Sequence, residues 1–495
     1  MTFRTLAASF FLLYGGLMPI AASDFMVENH MATLAMIASC VVIAALLFSR
    51  RAPLLNLLIA LYVFRVYLTR PYVNVFLPEL RGTQLVYVDS VNYFYNPQDA
   101  SVVYLSLLSL LLAWLIGLHV LPSKKNVPRP APWIFRQVDG LATGACWPFW
   151  LAWALLSVLN FKSASEGWQG VTTGDDPSTF AWGMFQMATI SIVCLYSFLL
   201  GRQPGGRRSS LLLLVPVLFT SVTGVAGGSR SALFTVVVLA LSYWLFLNWD
   251  KRVGRRGMLW GALVALLFPI VIFSGLLAQM LRPLLRYGAD PAIVWKTTLA
   301  GLDLSNPNNP LLASIYFGLT QLLHRLSSLY APFMILNDHF IHDPWETFNP
   351  LQTLMRIINE LLPGDLFSGV VGTNQLFNYI YQDAIVSYNS ETWSIQGTLY
   401  LYFGFWFSPL AVFGVASVIG RQYRRLEFLA HTSPAFAAFF ILLVNGVIEF
   451  GTLERVIPND VVRPLTAFLA IIVLVRAFRF IIPTRLRSQL SGEPC

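Results

Sequence analysis

The run ATLAMIASCVVIAALLFSRR, residues 32–51, decides the fold class. It holds 18 residues without a charge and ends on Arg50-Arg51. A helix rises about 1.5 Å per residue, so a run of about this length covers the roughly 30 Å of hydrocarbon in a bilayer. The arginine pair then marks where the chain regains water. The same unit recurs along the chain, at about 5–22, 52–69, 102–121, 141–160, 180–200, 210–226, 231–248, 258–277, 396–418, 434–450 and 461–482. Composition agrees: of 495 residues 56% are hydrophobic and 12% charged, with a mean hydropathy of +0.64. A soluble domain carries about 25% charged residues. A soluble enzyme, a disordered chain and a fibrous protein are therefore excluded, and the reading is an all-α polytopic membrane protein of about 12 transmembrane helices.

Alternate connections are basic. Arg4, Arg50-Arg51, Lys124-Lys125 with Arg129 and Arg136, Arg202 with Arg207-Arg208, Lys251-Arg252 with Arg255-Arg256, Arg421 with Arg424-Arg425, and the tail from Arg476 to Arg487 all fall on one side. That side collects 21 of the 33 basic residues against four acids, a net +17; the other 12 share the remainder with 20 acids, a net −8. Positive connections stay in the cytoplasm, so both termini are expected there. The basic balance then reports orientation, and no nucleic-acid partner is expected. The first run, with Arg4 ahead of it and Ala21-Ala22-Ser23 behind, also has the outline of a signal peptide; a retained first span is the preferred reading.

None of the four cysteines falls in an outward loop, and the chain has no Asn-x-Ser/Thr sequon, which favours a bacterial envelope. There is no Cys/His metal spacing, no phosphate-binding glycine loop and no HExxH, so no cofactor and no metal are expected. Three parts follow: 1–277, spans one to nine with short basic linkers; 278–395, a large outward loop; and 396–495, spans ten to twelve with the tail. A connection of that length is far beyond the usual few residues, and functional residues concentrate in such loops. Any chemistry is expected outside the cytoplasm.

Within the large loop, Leu351, Leu354, Met355, Ile358 and Leu362 recur at helical spacing, with Gln352, Arg356, Asn359 and Glu360 opposite. Pro350 can start this helix and Pro363-Gly364 can end it. It lies either on the outer membrane interface or on the loop's own core. In the stretch 311–335 the apolar run Leu311–Leu323 is too short to span and is interrupted by His324-Arg325, so it reads as a partly embedded or re-entrant helix lining a cavity.

Arg230 stands in the turn Gly227-Gly228-Ser229-Arg230-Ser231 between spans seven and eight. The glycine pair permits a tight turn, Ser229 or Ser231 can cap span eight, and the helix N-terminus favours an anion. The guanidinium adds a fixed fork for phosphate oxygens; an interfacial anchor is the plainer alternative. Arg325 at membrane depth calls for an anionic partner, either a ligand or a carboxylate, unless it lies at the wet interface. Arg282 and Arg286, one turn apart beyond span nine, are either a second phosphate contact or an anchor. Asp338, Asp343, Glu346, Asp383 and Glu391 are candidate general bases, with no spacing that singles one out. Trp168, Trp345 and Trp393 can stack on sugar rings or belong to an interfacial belt.

The turn Val225-Ala226-Gly227-Gly228-Ser229-Arg230-Ser231-Ala232-Leu233 resembles the G-S-R-[GS] signature of the bacterial O-antigen polymerases (Wzy-type repeat-unit polymerases). The stretch Ser394-Ile395-Gln396-Gly397-Thr398-Leu399-Tyr400-Leu401-Tyr402-Phe403-Gly404 resembles their motif after the large periplasmic loop, except that Thr398 replaces an acid and Tyr402 an asparagine. About 20 residues carry the resemblance, and the topology agrees with it. Asp24 and Glu28 are similar to the acidic first loop of metal-using lipid-linked glycosyltransferases, on a two-residue pattern alone.

The resemblance implies a metal-independent GT-C-type glycosyltransferase of the bacterial inner membrane. It would polymerise undecaprenyl-diphosphate-linked repeat units into O-antigen or a related surface polysaccharide at the periplasmic face. Donor and acceptor glycans, membrane lipids and a chain-length regulator are the implied partners. Arg230 is carried over to the diphosphate by its motif and Arg325 by its loop alone; on their own chemistry Arg282 and Arg286 would add a second phosphate contact, and His324, or next Glu391, would be the base. Alternatives are an O-antigen ligase transferring the glycan to lipid A core, a lipid-linked oligosaccharide flippase, and an assembly subunit without activity.

Overall fold

A computed structural model describes residues 1–21, 30–68, 97–123, 129–144, 147–169, 187–201, 212–213, 215–226, 230–254, 350–361, 366–367, 395–450 and 456–481. The described chain is helical apart from turns and one isolated bridge between Thr2 and Arg252. In order come α1 (Phe3–Ala21), α2 (His30–Phe48), α3 (Pro53–Val63, continued by a π-helical turn Phe64–Leu68), α4 (Pro97–Val120), α5 (Trp133–Gly144), α6 (Trp147–Gln169) and α7 (Met187–Leu199). Then follow α8 (Val215–Ala226), α9 (Arg230–Leu247), α10 (Pro350–Leu361), α11 (Ile395–Thr432), α12 (Pro434–Phe450), a second π-helical turn (Ile457–Val462) and α13 (Arg463–Ile481).

Four segments are long and apolar enough to cross a membrane: His30–Phe48, Ser101–Val120, Phe403–Thr432 and Ile457–Ile481. A fifth results if the bent pair α5 and α6 is counted as one. Shorter apolar helices cover Phe3–Leu17, Pro53–Val63, Met187–Leu199 and Pro434–Val447. This is the make-up of a multi-pass membrane protein. Every expected span except 258–277, which lies outside the described residues, coincides with a helix or part of one.

Two boundaries are corrected. The sequence suggests one span over 141–160, but α5 ends at Gly144 and α6 starts at Trp147, with 105° between them. Leu141 and Ala142 are apolar because they close the buried face of α5, and Pro148 suits the first turn of a new helix. The sequence also suggests a span over 396–418 followed by a short linker. The observed helix bends at Gly404, whose φ of 67° is open to glycine, and then runs unbroken to Thr432. At about 1.5 Å per residue the part beyond the bend is roughly 40 Å long. About 20 residues suffice for the hydrocarbon, so the stretch from about Arg424 onward, with Arg425 and Glu427, projects past it.

α4 and α11 pack along each other, α1 against α2, and α2 against α4; α7 packs on α12, and α8 on α9. Small residues set the α4–α11 crossing. A Cβ on Gly117 would lie 2.6 Å from the Phe413 carbonyl, and one on Gly420 would overlap the Leu118 carbonyl. Close backbone approach through small residues is how membrane helices gain contact without a hydrophobic drive.

Among the described residues the basic connections gather at one end. Met1–Arg4 pairs with 249–253: Arg4 N donates to Trp249 O, Val253 N donates to Met1 O, and Arg4 forms an ion pair with Asp250. Arg51 donates to the carbonyls of Leu118 and Leu121 at the C-terminus of α4, at 2.6 and 2.9 Å, and lies 6.0 Å from the Tyr423 ring. A cation there also complements the helix dipole. Ser49 meets His119, and the fully buried Asn56 donates to the Leu46 and Arg51 carbonyls while accepting from Trp114. Asp139 of α5 accepts from Ala435 N at 2.7 Å, capping α12.

Candidate functional site

The opposite end is located by helix length. α9 has 18 residues, so Arg230, its first, lies about 27 Å from the end of the helix beside the N-terminus. α13 is similar: the π-helical turn before it is about 20 Å from Arg476, which sits at the basic end. Arg230 and the turn Ile457–Val462 are thus both at the non-basic end.

Arg230 is the first residue of α9, and α8 ends four residues earlier at Ala226. The two helices pack on each other. At a helix N-terminus the amides point outward and the dipole favours negative charge. His324, Glu391, Arg325, Arg282 and Arg286 lie outside the described residues, as do Asp24 and Glu28.

A second group of polar residues at this end was not singled out from the sequence. α10 forms as expected from its proline start and packs against the π-helical turn Ile457–Val462. Its orientation is the notable feature. Leu351 and Leu354 are 56% and 52% exposed, whereas Thr353 and Arg356 are buried, Arg356 to 5%. The N-terminal leucines and Gln352 thus face outward, Met355 and Ile358 are half-buried, and Thr353 and Arg356 are turned to the protein. Asn359 fixes the helix end, donating to Phe367 O at 3.2 Å and accepting from Phe367 N at 3.1 Å. Arg356 reaches Gln352 at 3.5 Å within its own helix.

The turn that α10 meets carries Asp460 and leads into Arg463, both partly buried. Gly446 of α12 is required beside it, because a Cβ there would overlap the Asp460 carboxylate. Arg356, Asp460 and Arg463 therefore bring two guanidinium groups and a carboxylate to neighbouring elements at the non-basic end. π-helical turns recur at functional positions. The sequence signal that could have found them was the charge itself: ionisable groups at or inside an apolar span face the protein interior.

At the basic end the chemistry is different. Glu427, half-buried on the projecting part of α11, has its pKa raised by burial and then by Asp250, against the opposing pull of Arg4 and Arg424. His431 stacks on Phe246 with centroids 4.3 Å apart, and burial, helped by Lys251, lowers its pKa. These groups line or adjoin a shallow open crevice bounded by Ala52, Phe246, Tyr423 and Phe440.

No protein-family model matches the chain, and neither the curated proteins nor the solved structures contain a significant match.

Proposed function

We propose that this protein is an inner-membrane glycosyltransferase of the GT-C type, with about twelve spans, cytoplasmic termini and a large periplasmic loop over 278–395. It would polymerise undecaprenyl-diphosphate-linked oligosaccharide repeat units into O-antigen or a related surface polysaccharide. The observation that carries the reading is Arg230: it stands in the G-S-R-S turn and heads α9, at the end of the bundle away from the basic connections.

The chemistry asks for what this end can supply. An acceptor hydroxyl attacks the anomeric carbon of the donor glycan. The bond from that carbon to the diphosphate oxygen breaks, and the hydroxyl proton passes to a base. Charge develops on a lipid diphosphate beside the membrane, where fixed cations stabilise it most. Arg230 would act with Arg325, Arg282 and Arg286 on the diphosphate, and His324 or Glu391 would take the proton. α10 supports the reading in a different way. With Leu351 and Leu354 turned outward it suits the outer membrane interface, the level at which a polyprenyl-linked substrate presents its head group.

The test is the size distribution of surface and polyprenyl-linked glycan on a gel, with and without the gene. Collapse of a ladder to a single repeat on its acceptor is the expected result. Long polymer retained on polyprenyl diphosphate but missing from its acceptor would make the protein a ligase. An unchanged profile would contradict glycan transfer and leave transport or assembly.

A further inference from the structure

The basic end carries a constellation that the proposed activity does not use. α5 and the end of α13, more than 300 residues apart in sequence, meet there. The Arg476 guanidinium carbon lies 5.3 Å from the Trp133 ring centroid, and its Nη2 is 3.5 Å from Gln137 Oε1. That is cation–π distance. Arg136 follows Trp133 by three residues on α5, and Arg129 precedes the helix; both are exposed, as are Trp133 and Arg476. Arg129, Arg136 and Arg476 form no ion pair among the described residues. The one acid of α5, Asp139, is buried and turned toward the α12 N-terminus.

The exposed face is not needed to hold α5 in place. Phe135, Val138 and Ala142 do that, with the Phe135 ring 5.6 Å from Phe436 and 6.0 Å from Phe468. The angle of 105° to α6 lays α5 along the membrane surface when α6 crosses the membrane. On the membrane side of Arg476, Leu469 and Val473 of α13 are 45% and 61% exposed, so apolar surface runs from the cations toward the hydrocarbon. Tryptophan beside arginine and next to exposed apolar surface is the pattern of a lipid–water boundary.

We propose that Trp133, Arg136 and Arg476 form a binding site for the head group of an anionic phospholipid in the leaflet at the basic end. The two guanidinium groups take phosphate oxygens as forked donors. The indole, held by Arg476, sits at the level of the glycerol, and the acyl chains lie along the exposed side of α13. Charge complementarity and the adjoining apolar surface commit the site to a lipid over a soluble phosphate. The proposal does not depend on the activity of the opposite end.

The purified full chain in detergent, titrated with phosphatidylglycerol or phosphatidylcholine while its thermal midpoint is followed, tests this. Phosphatidylglycerol should raise the midpoint and phosphatidylcholine should not. A surface cation contributes about a fivefold change in binding to anionic lipid. Arg136→Gln and Arg476→Gln should therefore each raise the half-saturating phosphatidylglycerol concentration about fivefold, and the pair about 25-fold. Arg136 is exposed, so Arg136→Gln alone carries the test if the double variant fails to fold. An equal response to phosphatidylcholine, an equal response to glycerol phosphate without acyl chains, or an undiminished phosphatidylglycerol response in Arg136→Gln would overturn the site.

Discussion

Helices α5 and α10 sit at opposite ends of α13 and bury different kinds of side chain. α5 buries Phe135, Val138 and Ala142 and exposes Trp133 and Arg136; α10 buries Thr353 and Arg356 and exposes Leu351 and Leu354. Both show the helical period in their sequences, and the period alone does not say which face meets the protein. The surroundings decide. α5 packs on α7, α12 and α13, where Phe436, Phe439 and Phe468 receive its apolar residues. α10 packs on the π-helical turn with Asp460, so Thr353 and Arg356 go inward and Leu351 and Leu354 are left outward. An amphipathic pattern in a membrane protein therefore names two faces and leaves their assignment to the neighbours.

The contrast can be broken by moving function from one end to the other. Arg230→Ala should lower glycan transfer about 100- to 1000-fold, the size of effect seen when one fixed donor to a developing anion is lost. Membrane insertion and thermal midpoint should be unchanged. Arg51→Ala, at the basic end, should leave the transfer rate alone, measured on the same membranes. Comparable rates in the two variants would remove the distinction between the ends.

Smaller effects concern what holds the basic end. Gly420→Leu forces a side chain into the Leu118 carbonyl and should cost about 1–3 kcal/mol or more, seen as a lower thermal midpoint. Asp139→Ala removes one of two side-chain acceptors at the α12 N-terminus, the other being Ser433 Oγ, which takes Phe436 N, and should cost about 1 kcal/mol, while Asp139→Asn, which keeps an acceptor, should recover most of it.

Glu427→Gln gives the smallest effect and has a definite sign. The raised pKa means that the fold favours the protonated acid, so Glu427's contribution is full below the ordinary glutamate value, about 4.3, and is lost as pH rises through its higher folded value. The Gln variant should therefore match the native midpoint below about pH 4 and exceed it at neutral pH. The same midpoint in both proteins across the range would mean that Arg4 and Arg424 offset burial completely.

What the sequence discloses follows the same division. The apolar runs and the alternation of arginines disclose the helices and the side on which their connections meet, because charge and length act locally. The contacts of Arg4 with Asp250 and of Arg51 with α4 join connections that the alternation had placed together. The break between Gly144 and Trp147 was not legible, since Leu141 and Ala142 are apolar for packing and not for crossing. Of the residues named for the site, only Arg230 is described, at the head of α9. Arg356, Asp460 and Arg463 were hidden because their proximity arises from packing between segments about 100 residues apart.

The placement of α5 and α10 on opposite sides of the membrane is the claim on which the rest stands. Single cysteines at Arg136 and Gln352, in a chain whose four native cysteines are replaced by serine, can be labelled with a membrane-impermeant maleimide. The account predicts that Gln352→Cys labels in cells with only the outer envelope opened and that Arg136→Cys labels only after the inner membrane is permeabilised. Labelling of both under the first condition, or of Arg136→Cys alone, would contradict it.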